Sequence, residues 1–207
     1  MIIIGLTGGI ACGKTTLSHA LRALGARVLD ADAFSREATA ERGEALPAIR
    51  ARFGPAVFDA QGGLNRAALG EIVFSDPQAR RDLEGIVHPV VNRRILSELE
   101  RLRRDGTPLA VLDVPLLFEA GMEGLADEIW VAYLPEDLQI HRLMARDGVS
   151  REQALRRIRS QMPLSEKLRR ADVIIPTTGS RAQSAERVRA QWERVMRTGR
   201  TVYDGTL

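Results

Sequence analysis

A three-layer α/β fold, with helices on both faces of a five-stranded parallel sheet, is what this sequence predicts, and three observations carry the prediction. Five short apolar runs, at residues 2–7, 26–30, 109–114, 128–133 and 173–175, are bounded by glycine, proline or aspartate. Such continuous runs mark strands buried on both faces. The first two runs flank a helical pattern, the strand-helix-strand order of a parallel sheet. Two further stretches carry helical signals alone and read as insertions on that sheet.

The elements follow in order. Residues 2–7 read Ile-Ile-Ile-Gly-Leu-Thr, and a glycine-rich turn follows. Leu17, Leu21 and Leu24 then share one helical face, with Gly25 where a terminating glycine is expected. Residues 26–30 are the second strand. The third is stopped by Pro115, the fourth by Pro135 and the last by Pro176. Residues 182–196 place Ala185, Val188, Trp192 and Val195 at helical spacing. Within residues 35–105, Asp76 before Pro77 resembles an N-cap followed by a first-turn proline. Val91, Ile95, Leu99 and Leu102 form one apolar stripe, and His88 before Pro89 reads as a helix-boundary residue. Residues 136–170 are helical and arginine-dense, with Ser150 and Gln153 spaced as a capping box. The expected organisation is a core of residues 1–34, 106–135 and 171–207, a helical insertion at 35–105 and a second at 136–170.

Composition narrows the function classes. The 207 residues are 44% hydrophobic and 28% charged, which suits one compact globular domain. No apolar run approaches the ~20 residues of a bilayer span, and Gly8 and Gly9 interrupt the apolar start too early for a signal peptide. A cytoplasmic location is expected, with no membrane partner. The single cysteine, Cys12, excludes an internal disulfide, and His19, His88 and His141 lack metal-ligand spacing. The net charge is only +3, acidic residues are interleaved and aromatics are 4% of the chain, which argues against nucleic acid. Nearly all the basic residues are arginine. The only lysines are Lys14 and Lys167.

Lys14 belongs to the strongest motif. Gly8-Gly9-Ile10-Ala11-Cys12-Gly13-Lys14-Thr15 satisfies G-x-x-x-x-G-K-[ST] in full. Glycines let such a loop turn its backbone N–H groups towards phosphate oxygens, and the helix that begins there adds its dipole. A chance match in a glycine-rich turn is the bland alternative, and the strand before and helix after argue against it. The motif predicts a P-loop NTPase fold that binds the phosphates of Mg-ATP through Gly8, Gly9, Ala11, Cys12, Gly13, Lys14, Thr15 and Thr16. Lys14 would reach the β- and γ-phosphates and Thr15 would offer its hydroxyl to Mg²⁺. For Cys12, a small side chain at a variable loop position is favoured over a redox-sensitive thiol. Asp30 and Asp32 follow the second strand, either as acceptors of a proton from an incoming hydroxyl or as N-cap and turn residues; both readings stay open. Asp113 ends an apolar strand like a Walker B carboxylate near the metal. Arg142 and Arg146 share a helix face, and Arg157 follows on the next helix. These arginines could close over ATP, although a solvated face is the usual meaning of such charges.

Several separated stretches together resemble the dephospho-CoA kinase family. The opening, residues 5–16, is similar to that family's own. Asp30-Ala31-Asp32 resembles its D-A-D signature. Val73-Phe74, Asp76-Pro77, Leu83-Glu84 and His88-Pro89 resemble its substrate-side helices. Asp113-Val114-Pro115-Leu116-Leu117-Phe118-Glu119 is similar to its most distinctive run. Arg146-Asp147-Gly148, Ser150, Glu152, Arg157 and Gln161 follow its lid pattern. The resemblance implies a nucleoside-monophosphate-kinase-like architecture and transfer from Mg-ATP to the ribose 3′-hydroxyl of dephospho-CoA, completing coenzyme A. It implies Asp32 as base, Lys14 and Arg146 as catalytic cations, and ATP contacts from Arg142 and Arg157. Thr15 and Asp113 would hold Mg²⁺, and His88 and Leu117 would meet the acceptor. Residues 35–105 would hold the acceptor, residues 136–170 would act as the lid, and the protein would be a monomer or weak homo-oligomer. The chain departs from the family at Ala11-Cys12, for glycine and serine, which read as permissive positions. Pro176 and Thr177 replace an acidic residue and asparagine near the expected adenine position. Another small-molecule kinase of this architecture is the nearest alternative, and a P-loop switch the alternative from another class. The absence of an N-K-x-D run speaks against a GTPase switch.

Overall fold

The computed structural model describes residues 1–198. Five strands, β1 (Ile2–Gly8), β2 (Arg27–Asp30), β3 (Leu109–Asp113), β4 (Glu128–Tyr133) and β5 (Val173–Pro176), form one sheet in the order β2-β3-β1-β4-β5. β1 pairs in parallel with both β3 and β4, and β4 with β5. The central strand has Ile3, Ile4 and Leu6 buried, because both faces of a parallel sheet are covered. Parallel strands end at one edge. Gly8, Asp113, Tyr133 and Pro176 therefore share the carboxyl edge, where α/β sheets bind ligands.

Helix α1 (Lys14–Ala23) packs with the terminal helix α9 (Arg181–Thr198). Leu17 and Leu21 of α1 meet Val188 and Val195 of α9 in one core with Ile4, Leu6, Val111 and Trp130. Gly25 lies at φ 92, in the left-handed region that a helix terminator favours. Among charged groups, Glu128 is buried in β4 and accepts from the Trp130 indole and from Arg194 of α9.

The described chain divides into two compact units. One comprises Met1–Leu29 with the chain from Leu102 onward, and the other Asp30–Arg101. The second is helical: α2 (Ala31–Ala38), α3 (Leu46–Phe53), α4 (Arg66–Ser75) and most of α5 (Pro77–Arg104). It also holds one antiparallel bridge, Phe58 to Leu64, that no strand pattern foretold. Asp76 accepts from the Gln78 N–H at 2.7 Å, at the entry to α5. The apolar stripe of α5 is buried throughout, from Val91 to Leu102.

One expectation fails here. His88-Pro89 is no helix boundary, because α5 runs through Pro89 without a break. A helix-interior proline costs about 3 kcal/mol. Val87 and Val91, buried on either side, indicate how packing offsets it.

In the first unit, α6 (Glu136–Asp147), α7 (Arg151–Arg159) and α8 (Leu164–Arg169) follow β4. Gly148, at φ 66, ends α6, and the Ser150–Gln153 capping box opens α7. Ile140 and Leu143 of α6 pack with Ala154 of α7, and Ile10 and Ala11 of the glycine-rich loop lie against this small cluster.

Candidate active site

The glycine-rich loop leaves β1 at Gly8 and enters α1 at Lys14. Gly13 sets the corner at φ 79, and no side chain caps the helix behind it. No side-chain cap therefore competes with an anion at the start of α1. Cys12 N–H donates to the Gly9 carbonyl at 3.1 Å, and Thr16 N–H to the Gly13 carbonyl at 2.9 Å. A Cβ on Gly8 would stand 2.9 Å from Ala132, so the loop can leave the sheet this closely only with glycine there. Ala11 sits at φ 59. That is left-handed backbone, so the position is less permissive than its sequence suggests.

Lys14 projects to Asp113 at the end of β3, and the ammonium donates to Oδ1. Two groups that the sequence separates by 99 positions thus meet at the carboxyl edge. The meeting follows from topology, because β3 neighbours β1 and Asp113 stands in register with Leu6. Thr15 and Thr16 lie in the first turn of α1, with Thr15 exposed. Cys12 is 1% exposed, and burial pushes its thiol up to about 11, which makes it a packing residue.

Other contacts brace the loop, and of the residues that make them only Arg187 went unnoticed in the sequence. Thr177, at the end of β5, donates its hydroxyl to the Cys12 carbonyl at 2.6 Å. Arg142 donates to the Thr177 carbonyl at 2.8 Å, and Arg187 to the carbonyls of Pro176 and Thr178 at 3.0 and 3.2 Å. Thr177 therefore supports the phosphate loop itself. The Ile10 N–H donates to Gln161 Oε1 at 3.0 Å.

The remaining arginines singled out in residues 136–170 lie elsewhere. Asp147 accepts from Arg146 Nε at 2.7 Å and from Arg157 at 2.7 Å. The hydrogen bond with Asp147 raises the Arg146 pKa, and the same contact holds the Asp147 carboxyl below the usual aspartate range. Of the three arginines, only Arg142 is held against the loop that follows β5.

In the second unit, Asp30 is the N-cap of α2, accepting from Ala33 N–H at 3.0 Å. Asp32 is exposed in the first turn. Of the two readings left open for this pair, the capping role is thus met by Asp30. A cavity of about 300 Å³ lies within the unit, lined among others by Ser35, Thr39, Arg66, Glu84 and His88. Its walls add Leu69, Val73 and Val87, a mixture of apolar surface and a few polar groups that suits a small-molecule site. Leu117 departs from expectation. It is fully buried, against the position a Gly5 side chain would take, and has no surface to offer an acceptor, whereas Leu116 beside it is 40% exposed.

Comparison with known proteins agrees with this geometry. The family model described as dephospho-CoA kinase matches residues 2–183. The chain is 44% identical to the dephospho-CoA kinase of Geobacillus kaustophilus, covering 93% of this chain and 97% of that one. It is 48% identical to that of Symbiobacterium thermophilum, over 93% of this chain and 80% of the other. The chain belongs to the dephospho-CoA kinase family. Among solved structures, a Thermus thermophilus protein superposes with a TM-score of 0.80 at 40% identity, covering 95% of this chain and 97% of that one. The dephospho-CoA kinase of Campylobacter jejuni gives 0.73 at 30% identity, over 95% and 98%. A shikimate kinase from Bacteroides thetaiotaomicron, 14% identical with a TM-score of 0.50 and covering 94% and 98%, shares the fold alone.

A kinase of this family uses ATP, and the loop residues fit a magnesium ion beside it. Thr15 and Asp113 are hard oxygen donors, and Mg²⁺ is commonly held by one or two protein oxygens together with phosphates and water. Among the described residues no cluster of three or more histidine, cysteine or acidic groups could hold a metal. Among them, too, no helix is long and apolar enough to cross a membrane.

Proposed function

We propose that this chain transfers the γ-phosphoryl group of Mg-ATP to the ribose 3′-hydroxyl of dephospho-CoA, giving coenzyme A and ADP. The observation that carries the chemistry is the meeting of Lys14 and Asp113 beside a glycine-cornered, uncapped helix N-terminus. Family membership supplies the acceptor.

In this reading the glycine-rich loop and the start of α1 surround the phosphates with backbone N–H groups, and Lys14 turns from Asp113 towards the β- and γ-phosphate oxygens. Thr15 and Asp113 would hold Mg²⁺, whose charge offsets that of the phosphates. Asp32 orients the acceptor hydroxyl and takes its proton as the new O–P bond forms and the bond to ADP breaks. His88 contributes to acceptor binding from the wall of the cavity. Arg142 stays with the loop, while Arg146 and Arg157 exchange Asp147 for phosphate oxygens when the lid closes. Exposed ion pairs have small net strengths, so this exchange is inexpensive. Closure would exclude water, which a kinase requires to avoid hydrolysing ATP.

Purified protein given Mg-ATP with and without dephospho-CoA should release ADP only with the acceptor, and coenzyme A should form in equal amount. ADP release without the acceptor would favour the NTPase alternative. Asp32→Asn should lower kcat by about 10²-fold or more while ATP affinity stays within about twofold. An unchanged kcat would remove Asp32 from the role of base.

A further inference from the structure

Lys167 is one of two lysines in the chain, and its side chain is 0% exposed. A buried ammonium is costly unless it is fully paired, and an apolar residue of the same size serves packing at least as well. The partners of Lys167 therefore indicate what the charge does. Its Nζ donates to the Pro115 carbonyl at 3.1 Å and meets both oxygens of Glu119, at 2.9 and 3.2 Å. Glu119 Oε1 also accepts from Met162 N–H at 2.9 Å.

Pro115 is two residues beyond Asp113, and its carbonyl has a second donor. Thr7, on the strand that leads into the phosphate loop, donates its hydroxyl to it at 2.9 Å. A carbonyl oxygen has two lone pairs, and here β1 and α8 engage it together. Val114 N–H donates to the Leu6 carbonyl at 3.0 Å, so the exit from β3 is held on both sides of Asp113. The electrostatic influence of Lys167 extends to Cys12 within the loop, where it opposes the upward effect of burial on the thiol.

We propose that Lys167 is a positioning residue for phosphoryl transfer. It fixes the Pro115 carbonyl, and so the turn after β3, and thereby sets the Asp113 carboxylate against Lys14. The inference rests on the reading of Lys14 and Asp113 as phosphate-site groups. A displacement of about 1 Å in a group of this kind can cost a hundredfold in rate.

The double variant Lys167→Met/Glu119→Gln removes both charges, so the buried ammonium is not left without its countercharge. It should keep its melting temperature near wild type, lower kcat about 10- to 100-fold, and leave KM for dephospho-CoA within about twofold. Thr7→Val removes the other donor to the same carbonyl and should give a milder loss. Its effect combined with the double variant should be less than the product of the two. It also serves alone if the double variant does not fold. Because the chain has only two lysines, ¹⁵N-lysine labelling leaves a single Nζ signal, Lys14, in the double variant. That signal should shift and exchange faster with water than in the wild type; in Thr7→Val the same change should appear on the Lys14 signal. A structural role alone would leave kcat and the Lys14 signal as in wild type, and that result overturns the proposal. Asp113→Asn, assayed in parallel, separates the two layers. If it keeps wild-type kcat, the phosphate-site reading fails; if it is impaired while the Lys167 and Thr7 variants are not, only the positioning role fails.

Discussion

Two ion-pair clusters serve the arginine-rich segment between β4 and β5, and they are built in opposite ways. Arg146, Asp147 and Arg157 meet at the junction of α6 and α7 with arginine side chains 61% and 43% exposed. Lys167 and Glu119 meet at the other end with the lysine wholly buried. The chemistry of the pairs is the same; their surroundings are not. Water and salt screen the first cluster, so its arginines can change partners at little cost. In the second the lysine is desolvated and depends on Glu119 for its countercharge, so it acts as a fixed joint. A segment loosely paired at one end and fastened at the other suits the lid role proposed for it.

The sharpest way to break this comparison is Glu119→Gln alone. It leaves the buried Lys167 ammonium without a countercharge and should cost about 3 kcal/mol in a urea unfolding experiment. A loss well under 1 kcal/mol would show that the joint is no firmer than the exposed cluster. The rigid side of the comparison is sharpened at Ala11, whose φ of 59 strains any side chain. Ala11→Gly should stabilise the fold by about 1 kcal/mol in the same measurement. Asp147→Asn should have the smallest effect on stability. The Asp147 pKa is depressed in the fold, so its contribution is present above the unfolded-state value and lost as the pH falls through the folded one. The variant should therefore match wild type in acid and lie slightly below it near neutral pH, as urea midpoints across the acid range would show. A large loss at neutral pH would place Asp147 with the rigid group.

Much of this architecture was legible in order along the chain. The five strands, the helix after the glycine-rich loop and the Ser150 cap each depend on patterns of a few residues, and those patterns suffice. The interruption expected at Pro89 does not occur, because a local penalty was weighed without the packing of Val87 and Val91 that offsets it. Leu117 illustrates the same limit. The family resemblance implied that it meets the acceptor, but its burial against the Gly5 position shows that it is core. Lys167 had a signal, its rarity, but composition could not say whether it faced water or protein.

The amino-acid sequence by itself determined that a glycine-rich loop binds phosphate between a buried strand and a helix, and that Lys14 and Asp113 are the charged groups to watch. It could do so because backbone conformation and strand burial are set within a few residues. Only the tertiary structure decided what holds that loop in place: Thr177 on the Cys12 carbonyl across 165 positions, Gln161 on the Ile10 N–H across 151, and Lys167 on the Pro115 carbonyl across 52. Those bonds form because the parallel sheet brings distant strand ends to one edge, and no periodicity in the chain records which side chains will meet there.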